Sequence, residues 1–108
     1  MSTSDSRFVR ALPASDLTSG ETRCVKLGDK RKPVLLVRDG EQFFALEPWC
    51  SHAWQELDGG LVRDGWIACP AHGARFALLD GSPIATPASS AIATYEVRIA
   101  DGFLEVAI

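Results

Sequence analysis

Cys50 with His52, and Cys69 with His72, form two short pairs separated by the sixteen residues 53–68, and these are the only two histidines in the chain. Each pair offers one thiolate and one imidazole, so the four side chains make a complete donor set for a soft or borderline metal centre. Zinc is one occupant such a set can take. The usual zinc finger, however, draws two cysteines from one element and two histidines from a helix. Here each pair mixes the donor types, and nothing around them reads as a helix. The mixed Cys-x-His and Cys-x2-His spacing suits a two-iron cluster better.

Donors on loops need a stiff scaffold behind them. Five Asp-Gly dipeptides, at Asp39, Asp58, Asp64, Asp80 and Asp101, punctuate the chain, and Asp-Gly suits turns that need positive φ. The runs between them are too short for helices and rich in Val, Ile and Phe, which predicts strands over 7–12, 22–27, 34–38, 42–46, 66–68, 75–79, 92–99 and 103–108. The expectation is an all-β fold, an antiparallel sandwich or barrel. Val34-Leu35-Leu36-Val37 is its most fully buried strand. Hairpins are expected over 34–46, turning at Asp39-Gly40-Glu41, and over 95–106, turning at Asp101-Gly102. Residues 13–17 have room for one helical turn, and residues 81–87, with two prolines, read as a stiff loop beside the second donor pair.

A chain of 108 residues holds one domain. Residues 1–6 are expected to be a flexible N-terminus, and residues 47–80 a two-loop metal-binding subdomain inserted between the outer strands. No apolar run reaches the roughly 20 residues of a membrane span, and Met1-Ser2-Thr3-Ser4-Asp5-Ser6 has neither an apolar signal core nor a twin-arginine pair. A cytoplasmic, bacterial location is the expectation. Three cysteines do not suggest a disulfide framework. Cys24, in the alternating run of residues 21–27, reads as a buried thiol packing like a small hydrophobe.

Net charge is -3, unevenly placed. Residues 47–80 hold five acids and two bases, for -3, while residues 1–46 give +2 and residues 81–108 give -2. The negative charge around the donor set opposes nucleic acid and favours a basic protein partner. Lys30-Arg31-Lys32 reads as a solvated turn.

Cys50-Ser51-His52, the sixteen-residue spacer and Cys69-Pro70-Ala71-His72-Gly73 together resemble the Rieske [2Fe-2S] family, as do Gly60, Arg75-Phe76, Asp80-Gly81, Pro87 and Tyr95-Glu96-Val97. The resemblance implies one cluster, with Cys50 and Cys69 on one iron and His52 and His72 on the other. It is nearest to the small ferredoxins of multicomponent aromatic-ring-hydroxylating dioxygenases. Respiratory members add a disulfide where this chain has Gln55 and Ala71, and cluster-directed hydroxyls where it has Ala74 and Phe76. Fewer donors leave the reduced cluster less stabilised, so a midpoint of about -150 mV is expected. Ala77 departs from the Asp or Asn common after that Phe.

An oxygenase needs a second metal site, and both histidines are already used. No nucleophile dyad, phosphate loop or dinucleotide fingerprint remains. The chain is therefore expected to carry single electrons and to transform no substrate. By resemblance, electrons come from an NAD(P)H-dependent flavoprotein reductase and leave to a terminal Rieske oxygenase. Partner contact is expected at His52 and His72, with Trp49, Trp54 and Pro83 as candidates for the apolar contact beside them; burial beneath the donor loop is the competing expectation for each tryptophan, and the one taken for Trp49. A monomer is expected. The competing readings are a Rieske-like small subunit of a nitrite reductase and, from another class, a zinc-stabilised interaction module.

Overall fold

The computed structural model describes residues 7–50, 55–71, 73–85 and 90–108. The expectations for residues 1–6 therefore lie outside the described residues. Eleven strands are formed in the described chain: β1 (Phe8–Pro13), β2 (Thr22–Leu27), β3 (Lys32–Asp39), β4 (Gln42–Leu46), β5 (Val62–Arg63), β6 (Trp66–Ala68), β7 (Arg75–Ala77), β8 (Pro83–Ala85), β9 (Thr94–Tyr95), β10 (Val97–Ala100) and β11 (Phe103–Ala107). They make three antiparallel sheets, ordered β1-β11-β10, β2-β3-β4-β9 and β5-β6-β7-β8. The fold is all-β, as the turn punctuation requires. Residues 14–16 supply the one short helical turn, a 3-10 turn.

β3 organises the molecule. Val34, Leu35, Leu36 and Val37 are all fully buried, and because successive strand residues face opposite sides, they divide between two cores. Leu35 and Val37 pack with Leu46, Leu57, Ile67, Phe76 and both Cys50 and Cys69. Val34 and Leu36 pack with Leu12, Leu17, Leu104 and Val106. A strand apolar on both faces cannot fix its own register by hydrophobic pattern. The turn does it instead: Asp39 pairs with Gln42 across Gly40-Glu41, with Gly40 at φ 64, a conformation that glycine adopts without the Cβ clash other residues meet.

The sequence pattern and the structure part at three places. Residues 92–99 are not one strand: β9 pairs with β4, while β10 pairs with β11. The chain changes sheets at Glu96, whose carbonyl accepts the Ala107 N–H at 2.9 Å; alternation cannot register that crossing. Residues 83–85, expected within a loop, form β8 against β7. Pro83 is tolerated there because β8 is an edge strand, where a missing N–H breaks no ladder. The two-residue β5 is too short to show in the pattern, and it is paired across the Asp64-Gly65 turn.

The third sheet is tied to the base by side chains. Gly65 N–H donates to Asp39 Oδ2 at 2.7 Å. Thr22 Oγ1 donates to Asp58 Oδ1 at 2.6 Å and accepts from the Gly59 N–H at 2.8 Å.

Candidate metal centre

Both donor loops are built alike. In the first, Leu57 N–H donates to Pro48 O at 2.8 Å and Cys50 N–H to Gln55 O at 2.7 Å, with Trp49 bridging Glu56 between them. In the second, β6 and β7 pair as far as Ala68 and Arg75, and Cys69 N–H donates to Ala74 O at 2.7 Å. Each cysteine N–H is thus bonded to the residue five further on. Gly73, at φ 75, returns the second tip, and its N–H donates to Cys69 O at 3.0 Å.

Two glycines let the loops close up. A Cβ on Gly60 would strike the Ala68 carbonyl oxygen, and one on Gly81 would strike the Ile92 carbonyl oxygen. The Gly81 site ties β8 to the segment before β9 through the Ile92 N–H, which donates to Gly81 O at 3.0 Å.

Neither Cys50 nor Cys69 is in a disulfide, and both are buried in the same apolar core. Ionised thiols without a counter-charge are unfavourable in such surroundings, and a metal centre that takes up thiolates removes that penalty. Ala74 is also fully buried, and its N–H has no acceptor among the described residues. The described part of the site therefore fits the thiolate half of a [2Fe-2S] donor set. His52, His72 and Trp54 lie outside the described residues. Among the described residues no group of three or more Cys, His, Asp or Glu side chains assembles.

The surroundings are apolar where respiratory members carry hydroxyls: Ala74 and Phe76 are wholly out of solvent. Trp49, expected to be buried, is 38% exposed. It walls a cavity of about 240 Å³ shared with Glu47, Cys50 and residues 90–93; the loop folds its backbone onto Glu56 and leaves the indole at the surface. Pro83 is exposed on β8. Cys24 is exposed too, against expectation. Its register partner Leu35 is buried, but β2 is an edge strand, so alternation placed the thiol on the correct face without the cover. Partial desolvation, then Asp58 and Glu56 nearby, push its thiol above the usual range.

The geometry defines a class: a small all-β domain in which two cysteines, each bonded through its N–H to the residue five further on, are buried in one apolar core. The chain belongs to the Rieske family, the Rieske [2Fe-2S] domain matching residues 7–96. It is 36% identical over 76 residues to the anthranilate 1,2-dioxygenase ferredoxin subunit of Burkholderia cepacia, covering 70% of each chain. It is 32% identical over 101 residues to ferredoxin CarAc of Metapseudomonas resinovorans, covering 93% of this chain and 92% of that one. Among solved structures it superposes on a chain of the complex of reduced oxygenase and oxidized ferredoxin in carbazole 1,9a-dioxygenase, with TM-score 0.84 and 31% identity over 93% of this chain and 92% of that one. A chain assigned as an NADH-dependent nitrite reductase small subunit from Mycobacterium tuberculosis superposes with TM-score 0.82, covering 94% of each chain, but at 24% identity that likeness speaks for the fold alone.

Proposed function

We propose that this chain is the ferredoxin of an aromatic-ring dioxygenase system, taking single electrons from an NAD(P)H-oxidising flavoprotein reductase and passing them to a terminal oxygenase. The observation that carries the reading is the burial of Cys50 and Cys69 in one core beneath two matched hairpin tips, in a chain whose relatives are dioxygenase ferredoxins. Cys50 and Cys69 would hold one iron, and His52 and His72 the other. When bound, a cluster of this ligation takes up and returns one electron at a time.

The protein's own residues provide the setting. Leu35, Val37, Leu57, Ile67 and Phe76 keep water from the thiolates. The Ala74 N–H would be a donor to favour added negative charge. Histidines at the tips would bring the electron's exit to the surface, with Trp54 and Pro83 beside them. A monomer suits a shuttle whose contacts must form and release quickly.

Iron and acid-labile sulfide measured on protein purified without oxygen, followed by reconstitution with candidate reductases and oxygenases, tests the reading. Expected are two irons and two sulfides per chain and NAD(P)H oxidation coupled to substrate only when the carrier is present. Colourless protein containing zinc would overturn it.

A further inference from the structure

The metal centre leaves one face of its sheet unexplained. Register puts Arg63 opposite Trp66, Trp66 opposite Ala77, and Ala68 opposite Arg75. These five residues therefore share the outer face of the third sheet, while Val62, Ile67 and Phe76 fill the core behind it. Arg63 and Arg75 are the only bases in residues 47–80. An otherwise acidic segment thus gathers both of its positive charges on one face, and no carboxylate occupies a strand position there.

Among the described residues neither guanidinium is tied down by a strong ion pair. Arg75 lies over the Trp66 ring, 4.9 Å from its centroid, and has no carboxylate partner among the described residues. Arg63 meets its neighbour Asp64 at 3.4 Å with both side chains exposed, and such a pair contributes little. Stacking holds a guanidinium flat while its N–H fork stays free for carboxylates. Ala68 and Ala77 keep the rest of the face low, and Trp and Arg are the side chains that most often anchor protein interfaces. The face begins one residue from the buried Cys69.

We propose that the strip of Arg63, Trp66 and Arg75 is a docking surface for carboxylates of the terminal oxygenase, set beside the donor loops. The inference rests on the electron-carrier reading. The net -3 of residues 47–80 disfavours the extended polyanionic surfaces of nucleic acid and anionic membrane, whereas a few carboxylates on a folded partner can meet the two guanidiniums locally. A related ferredoxin is held by its oxygenase in a solved complex, which favours that partner.

The test is stopped-flow reduction of the oxygenase selected by reconstitution, using pre-reduced wild type, the double variant Arg63→Gln/Arg75→Gln, and Trp66→Leu. Unchanged iron, sulfide and visible spectrum establish that each variant is loaded; a wild type without iron defeats the carrier reading and this inference with it, whereas a loaded wild type confines any failure below to the docking surface. The expected result is a several-fold higher half-saturation concentration for the double variant, with the limiting rate unchanged, since a change in driving force would appear in the limiting rate. Its half-saturation concentration with the reductase stays as in wild type. An unaltered value with the oxygenase, an equal rise with the reductase, or a wild-type dimer dispersed by the double variant would each overturn the proposal. Trp66→Leu removes the stacking platform with both charges kept, and a smaller rise than the double variant's is expected.

Discussion

Ala74 and Phe76 are both fully buried in the core that holds Cys50 and Cys69, so neither offers a hydroxyl to a sulfur atom. Reduction adds one negative charge, and each absent donor leaves that charge less stabilised. The midpoint is expected near -150 mV, the low end of the Rieske range. Ala74→Ser should raise it, because serine adds a donor at little extra volume. Spectroelectrochemistry decides this: a wild-type midpoint above about +100 mV, or a serine variant no higher than wild type, contradicts the account. That Cys50 and Cys69 belong together was legible in their spacing, and the structure buries both in one core; the two histidines read with them lie outside the described residues. Exposure was not legible. Cys24 and Trp49 differ from expectation because solvent access depends on which strand lies at an edge and which way a loop folds, and neither is written in local alternation.

Among the elements, β3 serves both cores, and its neighbouring leucines separate them. Leu35 and Leu36 are each fully buried, Leu35 among the residues around Cys50 and Cys69, Leu36 on the far side with Leu17 and Leu104. Either Leu→Ala change should destabilise the fold by about 2 to 5 kcal/mol. Only Leu35→Ala opens space beside the thiolates, so it should also speed iron release to a chelator under native conditions, while Leu36→Ala should release iron near the wild-type rate. Denaturant melts combined with the chelation assay separate the two effects, and equal release rates would contradict the division of the cores. The apolar run of β3 and both expected hairpins could be read directly, because Asp-Gly turns act locally. The two-residue β5 could not because it is too short to show a pattern, the edge strand β8 because its proline reads as a loop, and the change of sheet at Glu96 because β9 pairs with β4, distant in the chain.

At the scale of the molecule, charge is distributed by segment. Residues 47–80 carry a net -3 against +2 for residues 1–46. Glu56 is exposed on the first donor loop, and Asp80 is held ionised below the usual carboxylate range by the Ser82 N–H. Asp58 is bound to Thr22 and serves the scaffold. A partner meeting this end feels a negative field crossed by the arginine strip of the third sheet, and both features attract only while salt leaves them unscreened. Raising ionic strength from about 0.01 to about 0.1 M shortens the screening length from about 30 to about 10 Å. The second-order rate constant for electron delivery should therefore fall as salt rises, while the limiting rate at saturating carrier stays level, since screening acts on encounter and not on transfer within the complex. Glu56→Gln should flatten the slope without altering the visible spectrum. A rate constant indifferent to salt would mean that apolar contact guides docking, and a rate constant rising with salt would mean that the charges of the two partners oppose one another.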